Sequence, residues 1–378
     1  MISLKDIFIS SGSWRIKQLK LVDFFIGGLI AFFIPFSRGV AKPLGIKKML
    51  IIRPGGIGDA VFLLPVLLRL KSMGITVDVL CERRNAEVFS SQGNLIANLY
   101  LYDRLGSFFA LPRNEYDVVI DTEQWHYLSG VLACLVNSPV KIGFSTRPLR
   151  AKFFNICVTY DQGYELENFR RLFDTVVRDS FTLPLSLEKS FRVPDNAVQW
   201  VRAEPRMKNA VSLFLGASIP DRRLTFEQWK GIVSFFLSAK MTPVLIGGAD
   251  AADIATALEL VFGDKIINKV GKLDLGYSAA VISQSRCFLG ADSGLLHIAA
   301  ALGVPTFGVF GPGNAVKWGP KGINDKIIFI AMPCSPCTRF GYTLPTCKGE
   351  FTCMRSLNIV NLLKQDPFFQ DPYTSSAE

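Results

Sequence analysis

The sequence has very little histidine, and this excludes several kinds of catalytic site. Its 378 residues include only His126 and His297. No nucleophilic triad built on histidine is suggested, and the histidine spacings of metalloproteases are missing. The glycine-rich loop ending in Gly-Lys-Ser/Thr is also missing, which argues against a P-loop phosphotransferase.

Long hydrophobic runs are lacking as well. The strongly apolar run Phe24–Phe36 has 13 residues, fewer than the roughly 20 that a membrane-spanning helix needs. The start of the chain is polar and shows no small-residue cleavage site after a short apolar core, so we expect no secretory signal peptide. Eight cysteines without such a signal suggest a reducing compartment.

Positive charge is present, but it is unevenly spread. The net charge is +10, and residues 1–48 hold eight basic and two acidic residues, which is +6 of the total. This distribution predicts a basic patch at one end of the protein and no nucleic-acid partner.

The basic end also contains a helical pattern. Between Ile16 and Phe36, the residues that interrupt a largely Leu, Ile, Val and Phe sequence recur at helical spacing: Lys17, Lys20, Asp23, Gly27 and Ala31. The pattern predicts an amphipathic helix that binds a membrane surface through residues 15–38, with phenylalanines in the lipid and lysines on anionic headgroups. The alternative is a helix packed on the protein's own core.

Strand and helix patterns alternate in two blocks, which predicts an α/β protein of two domains. A proline-rich change of composition at residues 182–208 separates the blocks. The predicted parts are a basic arm 1–46, an N-terminal domain 47–190, a linker 191–208, a C-terminal domain 209–365 with a cysteine-rich insert 334–353, and a flexible tail 366–378.

The stretch Gly290–Gly311 predicts a loop, a helix, a tight turn and a buried strand. Asp292, Ser293 and Gly294 are typical of a helix start, and Gly303 is typical of its end. A helix N-terminus with small residues beside it binds anions, because free N–H groups and the helix dipole converge there. The alternative is an ordinary capped helix.

Four cysteines cluster near the C-terminus. They follow the pattern Cys334-x2-Cys337-x9-Cys347-x5-Cys353. The spacing suits a tetrahedral thiolate site for a structural zinc or iron ion. Reduced thiols and disulfides are the alternatives, and a metal here would clip a loop without taking part in catalysis.

The chain contains four motifs in order: Arg53–Ala60 with Leu64-Pro65, Gly216-Ala-Ser followed by a basic pair and Trp229, Leu245–Gly248, and Gly290–Pro305. In this order and spacing they resemble glycosyltransferase family 9, the ADP-heptose:lipopolysaccharide heptosyltransferases. The resemblance covers about residues 46–360. It implies a GT-B fold, with two Rossmann-like domains facing across a cleft, the acceptor mostly on the N-terminal domain and the donor mostly on the C-terminal one.

The resemblance implies that Asp59 is the catalytic base of an inverting sugar transfer. Such a base takes the proton from the acceptor hydroxyl as that hydroxyl attacks the anomeric carbon. Asp59 is equally placed to cap the helix that follows, and both roles can hold. Gly55, Gly56 and Gly58 let the backbone approach a ligand closely. No cofactor is expected for catalysis.

The resemblance also implies a donor site. Ser293, Gly294 and Leu295 offer the helix N-terminus to the diphosphate, and Asp292 holds the heptose hydroxyls. Arg222 stands where the family usually has a lysine that neutralises the leaving diphosphate, a role that arginine can fill bidentately. The remaining implied contacts are Ser218 at the phosphate, Asp250 at the ribose, His297 as either a ligand contact or a packed helix residue, and Gly311 at the adenine.

The sequence therefore predicts an inverting transferase. It moves a heptose from ADP-L-glycero-D-manno-heptose to a lipopolysaccharide core or a related lipid-linked saccharide, at the cytoplasmic face of the inner membrane. One alternative keeps the fold and uses a UDP- or GDP-hexose or an N-acetylhexosamine. The other is a non-catalytic, nucleotide-binding, membrane-attached scaffold, and the presence of Asp59 speaks against it.

Overall fold

A computed structural model divides the chain into two units, Met1–Arg192 and Val193–Glu378. It describes residues 7, 14–34, 45–104, 106, 109–111, 115–177, 185–217, 219–339, 342–343 and 350–370. The division falls within residues 191–208, which the sequence assigns to a linker. Those residues also contain the helix Asp195–Arg202.

A six-stranded parallel sheet forms the centre of the first unit, with the order β3-β2-β1-β4-β5-β6. Its central strands are continuous apolar runs, because a parallel sheet is covered on both faces; all residues of β1 after the first are buried. The strands are β1 Lys48–Arg53, β2 Thr76–Cys81, β3 Asn98–Leu101, β4 Val118–Asp121, β5 Val140–Phe144 and β6 Ile156–Val158. The described helices that follow β1, β2, β4, β5 and β6 are, in this order, Ile57–Ser72, Arg83–Ser90, Tyr127–Leu135, Pro148–Ala151 and Glu165–Asp174. A 3-10 turn at Gly93–Leu95 precedes β3.

The second unit repeats this plan with the order β12-β11-β10-β7-β8-β9. Its strands are β7 Ala210–Phe214, β8 Thr242–Ile246, β9 Ile267–Asn268, β10 Phe288–Ala291, β11 Thr306–Val309 and β12 Lys326–Ile328, and β13 Thr338–Arg339 pairs antiparallel with β14 Tyr342–Thr343. Its helices, after Asp195–Arg202, are Phe226–Ser238, Ala252–Phe262, Leu275–Ser283, Gly294–Leu302, Ala315–Trp318, Thr352–Arg355, Ile359–Gln365 and Pro367–Gln370. Short 3-10 turns lie at Pro205–Asn209, Pro220–Arg222, Ala249–Ala251 and Gly263–Lys265.

Both sheets have the strand order of dinucleotide-binding folds, and this order fixes where ligands bind. The first strand of each sheet lies beside the fourth, so β1 pairs with β4 and β7 with β10. The chain leaves this pair in opposite directions, and ligands bind outside the carboxyl ends of the strands at that point. Asp59 lies in the first turn of the helix after β1, and Asp292 directly follows β10. The predicted residues Asp59 and Asp292 therefore lie at these two places, which we call the switch points of the two sheets.

The N-terminal helix docks on the first unit through polar and small residues. Its segments are Trp14–Val22, a π-helical turn at Asp23–Gly27, and Gly28–Phe33. The buried carboxylate of Asp23 accepts a hydrogen bond from the backbone N–H of Leu128 at 2.7 Å and lies 3.2 Å from His126 Nδ1. Gly27 allows close approach, since a Cβ there would lie 2.8 Å from the Cβ of Tyr127.

The opposite face of this helix is apolar and exposed. The exposed fractions run from 43% at Val22 to 74% at Phe33. We call this face the apolar ridge, and it consists of Val22, Phe25, Ile26, Leu29, Phe32 and Phe33. Within the described part of the chain, no helix combines the length and the hydropathy that crossing a bilayer requires.

Candidate functional site

Asp59 lies at the start of the helix that follows β1. It is the third residue of Ile57–Ser72, and its Oδ2 accepts a hydrogen bond from the backbone N–H of Gly56, the N-cap residue, at 3.3 Å. The capping role is therefore real, in the form of a third-position acid bonded back to the cap. The side chain is still 25% exposed, so the carboxylate can also meet a ligand.

The glycine-rich turn before Asp59 passes close to buried charge. Gly55 has a φ of +112°, which residues with a side chain rarely adopt. Its N–H donates to Glu82 Oε1 at 3.2 Å, and a Cβ on it would lie 3.0 Å from Arg53 Nη2. Gly58 lies in the first turn of the helix. Glycine at position 55 thus supplies both the turn and the space beside Arg53.

A group of buried charges lies next to this turn, and the sequence reasoning missed it. Arg53 Nη2 donates to Glu123 Oε2 at 3.2 Å and lies 3.8 Å from Asp59 Oδ1. Arg150 Nη2 donates to Asp121 Oδ2 at 2.7 Å, and both side chains are fully buried. Buried charges need such pairing. The available signal was that Arg53 and Asp121 each close an apolar strand with a charge.

The charges in this group shift the pKa values of their neighbours. Burial favours the neutral form of Glu123, but the positive charges of His126, Arg53 and Arg150 lower its pKa to about 2. Burial likewise favours neutral His126, but the hydrogen bond and attraction of Asp23 raise the pKa of this imidazole. Glu123 is therefore ionised at neutral pH, and it lies beside the same Arg53 guanidinium as Asp59.

In the second unit, a buried polar side chain without a hydrogen-bond partner lies at the N-terminus of the helix Gly294–Leu302. Ser293 is the N-cap residue, with extended backbone at φ −161° and ψ 169°, but its side chain makes no capping bond. Its hydroxyl is buried and has no hydrogen-bond partner among the described residues. Leaving a buried donor or acceptor unsatisfied costs about 1–3 kcal/mol. The side chain of Ser293 therefore does not act as an ordinary cap, and a ligand at this helix end would satisfy it.

Arg222 and Asp292 lie together at the same switch point. Arg222 Nη1 is 2.9 Å from Asp292 Oδ2 and donates to the Asp292 carbonyl at 3.0 Å. His297 Nε2 lies 3.9 Å from Asp292 Oδ1. Gly313, which the sequence reasoning missed, makes room for this carboxylate, since a Cβ there would lie 2.3 Å from Asp292 Oδ2. The donor-side residues Arg222, Asp292 and His297 thus form one cluster.

The remaining predicted donor residues are more dispersed. Asp250 Oδ2 pairs with Arg223 Nη2 at 2.7 Å in a partly exposed ion pair. Gly311 is packed tightly, since a Cβ there would lie 2.3 Å from Met354 Sδ. Gly294 and Leu295 form the first turn of the helix, with Leu295 buried. Ser218 lies outside the described residues.

The described cysteines do not form a metal site. Among the residues that the structure describes, no three His, Cys, Asp or Glu side chains are placed to hold a metal ion. Cys337 donates its N–H to the Pro312 carbonyl at 3.1 Å, and Cys353 packs beside Gly311. Cys347 lies outside the described residues, so a site made by all four cysteines stays a prediction.

Fold and site residues together define a class. Two Rossmann-like units, each with polar loops at the switch point of its sheet, are typical of GT-B glycosyltransferases that use nucleotide sugars. The chain belongs to glycosyltransferase family 9 (heptosyltransferase), whose sequence model matches residues 107–347. The family, the enzyme class and the fold predicted from the sequence are thereby confirmed.

Individual relatives and solved structures are similar to this chain. Lipopolysaccharide heptosyltransferase 3 of Escherichia coli is 25% identical over 275 residues, which are 68% of this chain and 77% of that protein. The solved E. coli heptosyltransferase WaaC with ADP has a TM-score of 0.66 at 20% identity, covering 84% of this chain and 98% of its own. The iron-containing dodecameric heptosyltransferase TibC in complex with ADP-D-beta-D-heptose has a TM-score of 0.54 at 13% identity, covering 86% and 76%.

Proposed function

We propose that this protein transfers a heptose from ADP-heptose to a lipopolysaccharide core or a related lipid-linked saccharide, with inversion at the anomeric carbon. The observation that carries the proposal is the cluster of Arg222, Asp292 and the unpartnered Ser293 hydroxyl at a helix N-terminus. A buried hydroxyl, free helix N–H groups and a guanidinium suit a diphosphate. The heptose and the adenine nucleotide are inferred from the relatives, which are named heptosyltransferases and one of which was solved with ADP.

The donor is bound by the second unit, within residues 209–365. Its diphosphate lies at the N-terminus of Gly294–Leu302, where the helix dipole favours negative charge. Arg222 neutralises the charge that develops on the departing ADP, which is where fixed positive groups lower a barrier most. The carboxylate of Asp292 accepts hydrogen bonds from the sugar hydroxyls.

The acceptor is bound by the first unit, within residues 47–190. Asp59 removes the proton from the acceptor hydroxyl, and that oxygen forms a bond to the anomeric carbon as the bond from this carbon to the diphosphate oxygen breaks. Attack on the face opposite the leaving group inverts the configuration. The proton ends on Asp59 and the electron pair of the broken bond on ADP.

The nucleotide preference tests the donor side of this proposal. ADP is expected to raise the melting temperature, because a ligand that binds only the native state stabilises it by about 2.7 kcal/mol at one hundred times its Kd. UDP and GDP at the same concentration are expected to have a smaller effect. Differential scanning fluorimetry measures all three. Stabilisation by UDP or GDP alone would favour the alternative donors and contradict ADP-heptose.

We also infer that the apolar ridge attaches the protein to the cytoplasmic face of the inner membrane, where a lipid-linked acceptor is available. Basic side chains flank it: Lys152 Nζ donates to the Phe32 carbonyl at 3.1 Å, and the Arg147 guanidinium lies 5.8 Å from the Phe24 ring. Exposed aromatic and aliphatic side chains with a basic border bind the headgroup region of anionic bilayers. Lys20 stays mostly protonated at neutral pH, although burial and the charge of Arg84 lower its pKa to about 8.

Vesicle binding tests the ridge. The triple change Phe25→Ser, Phe32→Ser and Phe33→Ser is expected to weaken binding to phosphatidylethanolamine–phosphatidylglycerol vesicles at least about tenfold, since burying one such side chain contributes up to about 1.5–3 kcal/mol. Sedimentation with vesicles measures this. Leu260→Ser with Ile323→Ser, which changes two exposed apolar residues of the second unit, is the matched control. Equal binding by the triple variant and the wild type would exclude the apolar ridge as the membrane-binding surface.

A further inference from the structure

We propose that Arg53 and Glu123 form a positioning pair for Asp59, in which the buried Arg53 guanidinium attracts the Asp59 carboxylate and Glu123 takes the hydrogen bond of the same guanidinium nitrogen. The inference rests on the proposed function of Asp59 as the acceptor base. Neither residue is expected to touch a substrate.

The sheet brings the two residues together. Arg53 is the last residue of β1, and Glu123 lies two residues after Asp121, the last residue of β4. These strands are neighbours, with Ile52 opposite Asp121 in the parallel register. Their carboxyl ends therefore meet at the switch point of the first sheet, directly beside the turn that carries Asp59.

The guanidinium of Arg53 has little freedom to move. Its Nε donates to the Pro54 carbonyl, and its Nη1 donates to the Thr122 carbonyl at 3.0 Å. The side chain is 2% exposed, and its Cζ lies 5.8 Å from the centre of the Phe169 ring. With Nε and Nη1 held by the backbone, Nη2 is the nitrogen that faces the carboxylates.

Nη2 is shared unequally between two acids. It donates a hydrogen bond to Glu123 Oε2 at 3.2 Å, and it is 3.8 Å from Asp59 Oδ1. Glu123 is fixed in turn, because its Oε1 accepts from the backbone N–H of Trp125 at 2.9 Å. Asp59 therefore receives the attraction of a buried positive charge while the hydrogen bond goes to Glu123.

This sharing matters for a base. An opposite charge within about 4–6 Å favours the ionised carboxylate and lowers its proton affinity. A base must be ionised at the working pH but must still accept a proton in the transition state. Glu123 offsets part of the Arg53 charge, so the attraction that Asp59 receives depends on both residues.

Other ionisable groups lie around Arg53 and around the turn before Asp59. Arg53 is surrounded by Asp59, Glu123, Glu165 and Asp121, whose charges raise its pKa against the effect of burial. Asp121 is paired with Arg150, and Glu165 accepts from Tyr160 Oη at 2.7 Å. Glu82 holds the N–H of Gly55 in the turn itself. Since these groups stay in place, changing Arg53 or Glu123 alters the field at Asp59 in opposite directions.

The pH dependence of kcat/KM for heptosyl transfer tests the pair. Arg53→Met removes the positive charge and is expected to move the acidic limb of the profile upward by about one pH unit, and Glu123→Gln removes the opposing negative charge and is expected to move it downward by up to about the same amount. Arg53→Lys keeps the charge and should move the limb less than Arg53→Met. If Arg53→Met does not fold, the downward movement expected for Glu123→Gln carries the test.

The controls separate this role from a structural one. Asn85 donates from Nδ2 to the Arg53 carbonyl at 3.1 Å, so Asn85→Ala disturbs the same strand end without changing charge and should lower the rate without moving the limb. If Arg53→Met and Glu123→Gln leave the limb in place or move it in the same direction while Asp59→Asn is inactive, the positioning role is wrong and the proposed function stands. Full transfer by Asp59→Asn would instead overturn the proposed function.

Discussion

Replacing Asp59 by asparagine is expected to lower kcat/KM for heptosyl transfer by about 10²–10⁴-fold, because a general base typically contributes this much. The amide oxygen can still accept from the backbone N–H of Gly56, so the cap bond at 3.3 Å is retained. The loss should therefore appear in catalysis and leave the melting temperature of the free protein nearly unchanged. Steady-state kinetics with ADP release as the readout measures it.

The control for this prediction is nucleotide binding. Asp59 belongs to the first unit and the donor-side residues to the second, so the stabilisation of Asp59→Asn by ADP should equal that of the wild type. Transfer by this variant at a rate within about tenfold of the wild type would remove Asp59 from the chemistry, since that is less than a lost general base costs.

Arg222→Met is expected to lower kcat by about 10²–10³-fold, comparable to the removal of a charge-stabilising group at a developing anion. The loss should fall mainly on kcat, because the charge on the departing ADP develops in the transition state. Arg222→Lys keeps the positive charge at the position where the family usually has lysine and is expected to retain most of the activity. Single-turnover kinetics separates the chemical step from ADP release.

A neighbouring arginine provides the matched control. Arg223 pairs with Asp250 at 2.7 Å and is partly exposed, so Arg223→Met should change kcat much less than Arg222→Met. Equal losses in the two variants, or an Arg222→Met defect confined to KM, would contradict transition-state stabilisation by Arg222.

The elements of the fold could be predicted because each has a local signal. The strand Lys48–Arg53 is an apolar run bounded by a glycine-rich turn, and the structure has it with the same bounds. The helix Gly294–Leu302 begins after Asp292 and Ser293 and ends at Gly303, which adopts the left-handed conformation at φ +75°. Apolar periodicity, caps and glycine stops act within a few residues, so they can be read along the chain.

The contacts that build the site could not be predicted because they join distant residues. Arg53 and Glu123 are 70 residues apart, as are Arg222 and Asp292. The space that Gly313 leaves for a carboxylate depends on the turn after β11. Sequence spacing indicates which strand ends carry charge, and only the strand order decides which of these ends become neighbours.

The docking of the N-terminal helix likewise depends on contacts between distant residues. Its periodicity placed Asp23, Gly27 and Ala31 on one face, but it did not show which face docks. That depends on His126 and Leu128, more than a hundred residues away, which bind the carboxylate of Asp23. With Asp23 docked, the apolar ridge is the face left outside.

Heptosyl transfer by the purified protein is the most direct measurement. ADP-heptose and a lipopolysaccharide acceptor lacking its terminal heptose are mixed with the wild type, and the product is examined by mass spectrometry and NMR. The expected result is an acceptor that gains one heptosyl residue, with one ADP released and the anomeric configuration inverted, and transfer about 10²–10⁴-fold slower with Asp59→Asn. Transfer from a UDP- or GDP-sugar but not from ADP-heptose, or retention of configuration, would contradict the proposed function.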